Sequence, residues 1–226
     1  MAKRLPPLQP RLAAIAQWVP AGAHLTDVGT DHGYLPLHLL AEGRIASAIA
    51  TDIRPGPLDN ARHSARESGI PLDCRLCDGL AAVRPEETDT IVIAGMGGET
   101  MIHILSEAPW AREGPALLLQ PMSKSELLRA WLPVNGCRIV RERLVEDRGV
   151  LYPILSCRGG GHPPPLTAGQ AWVGLARGDP LYPAYAAQRI QSLRRAADGL
   201  SQASDPASRQ RAQELLDILK EVEEMV

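Results

Sequence analysis

Over the first two thirds of the chain, short apolar runs ending in Gly, Asp or Gln alternate with amphipathic stretches, the pattern of a β/α series. Arg11 to Val19 sets Leu12, Ile15, Ala16 and Val19 on one face of a short helix. Ala23 to Val28 reads as a buried strand, followed by a Gly-containing loop and a helix from Tyr34 to about Glu42. The next strand, Ser47 to Thr51, ends at Asp52; a helix from Pro57 to Ser68, apolar at Leu58 and Ala61, closes at Gly69. Strands follow at Leu72 to Leu76, at Thr90 to Ala94 and at Ala116 to Leu119. The second of these is a continuous apolar run typical of the centre of a parallel sheet. Helices are expected from Gly98 to Leu105 and from Ser125 to Leu132, the latter capped by Ser123.

The alternation then changes. Arg138 to Leu144 and Val150 to Cys157 are two strands joined through residues 146–149 with no helix between them. An antiparallel hairpin closing a mostly parallel sheet predicts the class I methyltransferase (Rossmann-like) α/β fold, seven strands in the order 3-2-1-4-5-7-6, whereas NAD-binding domains usually finish on a parallel strand. Gly159-Gly160-Gly161-His162-Pro163-Pro164-Pro165 reads as a linker. Beyond it, Tyr182, Tyr185, Ile190, Leu193, Ala197 and Leu200 recur at helical spacing, as do Ala212, Leu215, Leu219, Val222 and Val226, with Asp205-Pro206 starting the second helix. The expected organisation is a cofactor domain over residues 1–158 and a linker plus helical hairpin over 159–226. Such a hairpin serves dimerisation or stability, or acts as a lever on a large substrate.

Composition bounds the function without naming it. With 226 residues, 45% apolar content and 22% charge, the chain suffices for one good core and an appendage. The 20 Pro and 20 Gly fall mostly at segment ends and act as punctuation. No signal peptide or membrane-length run is evident, which points to a cytoplasmic protein. The net charge of −2 does not advertise a nucleic-acid partner, yet Lys3, Arg4 and Arg11 make the N-terminal arm basic, and four arginines between Arg177 and Arg195 face only Asp179. Cys74, Cys77, Cys137 and Cys157 are too few and too scattered for a disulfide scaffold, and the single C-x-x-C lacks a second pair at zinc spacing, so no metal is expected.

Candidate chemistry collects at the carboxyl ends of the strands, where open α/β sheets bind ligands. The first turn, Asp27 to Gly33, holds Gly29 and Gly33 but no G-x-G-x-x-G. Carboxylates at its mouth favour a ligand carrying positive charge, such as S-adenosylmethionine, over a pyrophosphate. Asp52 closes the second strand, where an acidic residue binds a ribose diol or, alternatively, caps a loop. Asp78-Gly79 follows the third strand, as an acceptor for an adenine amine or as a plain Asp-Gly turn. Gly95-Met96-Gly97 allows close backbone approach after the fourth strand. Gln120, ending the fifth, offers an amide that reads a base edge.

TDVGTDHGYLP, ATDIRPGPLDNA, IVIAGMGGETMIHIL, LLLQPMSKSELLRAWL and LVEDRGVLYPIL together resemble the bacterial TrmK family, tRNA adenine-22 N1-methyltransferases that use S-adenosylmethionine. The resemblance runs from Arg11 to Cys157, and the family's C-terminal coiled-coil hairpin is matched in kind. It implies that Asp27, Gly29, Asp31 and His32 form the first cofactor motif, Asp52 the ribose acid, Asp78 and Gly79 the adenine side, and Gly95, Met96, Gly97 and Gly98 the fourth-strand loop. The family pattern after the fifth strand is Q-P-N, whereas this chain has Gln120-Pro121-Met122. Methylating adenine N1 implies tRNA as partner and catalysis mainly by positioning. His32 and Tyr34 are then candidates for the pocket wall, Gln120 for edge recognition, and Asp31 for stabilising the cationic product or, alternatively, for capping the following helix. A monomer or weak dimer is expected. Two other readings compete: a dinucleotide-dependent oxidoreductase, and a non-catalytic RNA-binding protein retaining the fold.

Overall fold

The computed structural model describes residues 4–203 and 205–226. One sheet is built from β1 (Ala23–Val28), β2 (Ile45–Asp52), β3 (Asp73–Leu76), β4 (Thr90–Gly97), β5 (Ala116–Ser123), β6 (Arg138–Asp147) and β7 (Val150–Arg158). Its order is β3-β2-β1-β4-β5-β7-β6, as expected, with β7 antiparallel to both β5 and β6 and the other neighbours parallel. Between the strands run α2 (Tyr34–Ala41), α3 (Pro55–Ser68), α4 (Gly98–Glu107) and α5 (Ser125–Val134), preceded by α1 (Pro10–Ala16).

Strand alternation divides the core in two. Ile91, Ile93, Leu117 and Leu119 pack with Met101 and Leu105 of α4 and Leu128 and Leu132 of α5. The residues between them, Val92 and Leu118, join Ile15 of α1 and Leu35 and Leu39 of α2 on the other face. Because both faces of β4 and β5 are covered, their centres read as unbroken apolar runs rather than alternation.

Three local expectations need correction. β5 continues through Ser123, so Ser123 does not cap α5; Lys124 occupies the N-cap position, at φ 55°, with no capping side-chain bond. The β6–β7 connection is two residues, Arg148 (φ 53°) and Gly149 (φ 77°), not four. Positive φ at both makes a type I′ turn, whose twist suits a hairpin and lets the strands pair to their ends. A further helix, α6 (Ala168–Val173), follows the Gly/Pro tract. Thr167 caps it, its hydroxyl accepting from the Gln170 N–H while the Gln170 side chain accepts from the Thr167 N–H at 3.0 Å.

α7 (Tyr182–Ser201) and α8 (Pro206–Met225) form the expected helical hairpin, with Asp205 capping α8 through the Ser208 N–H. They share an apolar cluster that includes Leu193, Ala197, Leu215, Leu219 and Val222, and this cluster reaches Leu144 of β6. The tract before them is not a free tether: at Gly159 the chain runs hard against the Arg112 carbonyl, where a Cβ would overlap it. Beneath α6 and α7 lies a fully buried ion pair, Arg129 of α5 with Glu142 of β6, at 2.7 Å. Arg129 also donates to the Ala171 carbonyl at 2.9 Å and to the Tyr185 hydroxyl at 3.1 Å, and Glu142 accepts from the Leu175 N–H. Charges this deep persist only when paired and hydrogen-bonded, so this cluster ties the appendage to the sheet.

Candidate active site

A cavity of about 600 Å³ opens at the carboxyl ends of β1, β2 and β4. Among its walls are Asp27, Gly29, Asp31, His32, Tyr34 and Asp52, and also Gly95, so six of the residues singled out from the first two loops, and one from the fourth, converge there.

Asp27, the penultimate residue of β1, is buried, and loss of hydration raises its pKa to about 6 despite an opposing hydrogen bond from Thr30. Gly29, at φ 76°, turns the chain sharply out of the strand, and its N–H is fastened to the Thr51 carbonyl at 2.7 Å, which links the β1 and β2 ends. Met96 lies directly against Gly29, its methyl where a Cβ would stand. Asp52, also buried, accepts the Arg54 N–H on Oδ1 at 2.8 Å. Asp31 stands at the mouth, with its side chain 70% exposed, 3.6 Å from His32 Nε2. It does not cap α2: the Gly33 N–H is taken by the Thr30 hydroxyl at 3.0 Å. His32 and Tyr34 stack, with centroids 5.0 Å apart and planes 7° from parallel, which forms a flat aromatic wall.

Other expected residues lie elsewhere. Asp78 and Gly79 border a separate cavity of about 320 Å³ with His103 and Trp110. The Ala81 N–H bonds back to the Asp78 carbonyl at 3.0 Å, so the Asp-Gly turn reading describes the backbone. Gly97 packs near the Ser123 hydroxyl, and Gly98 against the Lys124 carbonyl, where a Cβ would sit 2.2 Å away. Gly98 is needed for the close passage of the β4 and β5 ends. Gln120 is fully buried behind Gly95, not at the mouth. Its Oε1 accepts from Arg11 Nη1 at 2.8 Å and from the Gly95 N–H at 3.2 Å, and its Nε2 donates to the Pro121 carbonyl at 3.0 Å. With both ends of the amide engaged, Gln120 holds the loop in position and has no free edge for a base.

Arg11 is the side chain that sequence reasoning missed. From the first turn of α1 it reaches into the cavity wall, pairs with Asp147 at 2.7 Å, bonds Gln120 and Gln9, and lies over the Tyr152 ring at 5.3 Å. Met122 completes the set: its sulfur, a weak acceptor, lies 3.3 Å from Arg11 Nη1, at the position where the resembled pattern carries Asn. Arg11 thereby joins α1, the β5 end and the hairpin tip into one rim. Among the described residues, no group of three His, Cys, Asp or Glu is close enough to hold a metal ion, and no helix is long and apolar enough to cross a membrane.

Comparison with known proteins agrees with this geometry. A sequence profile described as Methyltransferase domain matches residues 8–155. The tRNA (adenine(22)-N(1))-methyltransferase of Bacillus subtilis is 31% identical over 233 residues, covering 95% of this chain and 96% of that protein. The crystal structure of the B. subtilis m1A22 tRNA methyltransferase TrmK superposes with a TM-score of 0.87 at 30% identity, over 97% of this chain and 99% of that one. Streptococcus pneumoniae Sp1610 in complex with S-adenosyl-L-methionine gives a TM-score of 0.76 at 33% identity, over 94% and 97%. With the relation extending from the first helix through the C-terminal hairpin, the chain belongs to the tRNA (adenine(22)-N(1))-methyltransferase family.

Proposed function

We propose that this protein methylates N1 of adenine 22 in tRNA, using S-adenosyl-L-methionine. The observation that carries the reading is the near full-length relation to the B. subtilis enzyme, helical hairpin included. The residues present suit the cofactor: a buried carboxylate, Asp27, poised for a cation, and a second, Asp52, at the end of β2, where a ribose diol is met by an acid. Asp27, Gly29 and Gly95 make up the proposed cofactor wall, with Met96 filling the space against Gly29. Asp78 and Gly79, which border the neighbouring cavity, are assigned to the cofactor site only by the family resemblance, and Gly97 contributes by the packing of its loop.

S-adenosyl-L-methionine supplies an electrophilic methyl on a sulfonium, and adenine N1 has its own lone pair, so the protein needs no nucleophile. Its work is orientation. N1 lies on the Watson–Crick edge, so the base must leave its stack. In this reading the His32–Tyr34 wall stacks the extruded base, and Asp31 stabilises the positive charge that develops on it. Gln120 and Arg11 act as positioning residues that fix the rim. The dinucleotide alternative gives way because β7 is antiparallel and the first loop lacks G-x-G-x-x-G; the non-catalytic alternative gives way to the enzyme family. Residues 1–158 form the cofactor domain and 159–226 the linker and hairpin of a cytoplasmic monomer or weak dimer.

The test is incubation with labelled S-adenosyl-L-methionine and an unmodified tRNA transcript, followed by nucleoside analysis. Label in 1-methyladenosine is expected. Label in N6-methyladenosine or a methylated ribose would overturn the assignment.

A further inference from the structure

Beside the catalytic cavity lies a second groove of about 190 Å³, bounded by the end of β5, the start of β7 and α7. Met122, Lys124, Tyr152, Gln188 and Ser192 line it, and no carboxylate does. It is continuous with the catalytic rim: Arg11, in the cavity wall, touches Met122 and lies over Tyr152. Lys124 is exposed and left-handed, at φ 55° and ψ 33°, a conformation uncommon for a residue with a side chain. Strain of this kind concentrates where a side chain is held for use.

The cations along the groove are of two kinds. Arg11, Arg189 and Arg194 are paired with Asp147, Glu126 and Glu223. Among the described residues, Lys124 and Arg195 have no carboxylate partner. Gln188, Ser192 and Arg195 stand at i, i+4 and i+7 on one face of α7, a stripe about 10 Å long that carries the groove onto the hairpin.

Resting on the methyltransferase reading above, we propose that this groove holds the tRNA strand flanking the target adenine, with Lys124 and Arg195 contacting its phosphates and Tyr152 facing a neighbouring base. An adenine drawn into the cavity leaves its adjoining phosphates at the Arg11–Met122 rim, where the groove begins. A surface of amide, hydroxyl, unpaired cations and the rings of Tyr152 and Tyr185 suits a single-stranded polyanion.

The experiment measures binding of an unmodified tRNA transcript to the full chain, with S-adenosylhomocysteine present, across 50–200 mM salt. Lys124→Gly removes the charge while tolerating the left-handed backbone; Lys124→Arg keeps the charge; Arg195→Ala tests the far end; Arg66→Ala, on α3, is the control. Lys124→Gly and Arg195→Ala should each lose roughly fivefold in affinity and lower the log–log salt slope by about 0.7. Lys124→Arg and Arg66→Ala should match wild type, and S-adenosylhomocysteine affinity should stay constant throughout. Wild-type affinity and salt slope in both charge-removing variants would overturn the proposal, as would equal loss in Lys124→Gly and Lys124→Arg. A variant that alters only sedimentation would assign the groove to a second copy of the chain. If wild type binds tRNA yet transfers no methyl group, the enzymatic reading fails while the groove is still judged by binding.

Discussion

Asp27 is held where water cannot reach it, and the consequence is a pH dependence of definite sign. Its pKa, about 6 in the folded chain against 3.8 for a free aspartate carboxyl, means that the folded state keeps a proton that the unfolded state releases. The unliganded protein therefore has this stabilising contribution in full below about pH 4 and loses it as pH rises through 6, by up to about 3 kcal/mol. Asp27→Asn should flatten that part of the profile, which denaturation at pH 5 and pH 8 will read. Since a cofactor ammonium is attracted to the ionised form, S-adenosylhomocysteine should bind more tightly at pH 7.5 than at pH 5; equal affinities in calorimetry would separate Asp27 from the ligand. Asp52→Ala should cost about 2–4 kcal/mol, roughly 30- to 1000-fold in S-adenosylhomocysteine affinity, in a chain that still folds. These two carboxylates were legible because each lies at or one residue before the end of a strand whose apolar run is visible locally. Arg11 was not: its partners Gln120 and Asp147 lie 109 and 136 residues away in sequence, and nothing in a helix's first turn announces them. Gln120 lies inward of the mouth for a related reason, since pairing with β4 carries β5 four residues past its apolar run, to Ser123, and draws the amide inward.

At the level of elements, the junction of α5, β6 and the C-terminal helices depends on a charge pair that the amphipathic pattern of α5 conceals. Arg129 and Glu142 are both fully buried, so removing one leaves the other desolvated without compensation. Arg129→Met alone should cost about 3–5 kcal/mol in urea unfolding, and adding Glu142→Leu should recover most of it. A double variant no more stable than the single one would show that the pair does not act as a unit. The β/α alternation and the closing hairpin could be read from the sequence because period and punctuation are local properties. Helix α6 could have been read as well, since T-A-G-Q at Thr167 to Gln170 is a capping box; its apolar part is too short to show a period.

Taken whole, the molecule is a cofactor-binding sheet whose rim continues onto a docked helical hairpin. Neither principal core cluster of the sheet draws on a residue beyond Cys157. A chain ending at Arg158 should therefore fold and bind S-adenosylhomocysteine, with a lower melting temperature because Arg129 and Glu142 lose their cover, and with weakened tRNA binding. Equal tRNA affinity in the truncated and full chains would make the hairpin a stabilising device only. The order of the strands was foreseeable from the hairpin at the chain's end; the docking of residues 168–225 was not, because the buried pair and the Arg112 contact at Gly159 arise only in three dimensions. Methyl transfer to adenine 22 is tested most directly by offering the protein and S-adenosyl-L-methionine two transcripts of one tRNA, with adenine or guanine at position 22, and mapping reverse-transcription stops. A methyl on N1 blocks Watson–Crick pairing, so a stop at position 22 in the adenine transcript and none in the guanine transcript is the predicted result. Stops at another adenine, persisting in both transcripts, would contradict it.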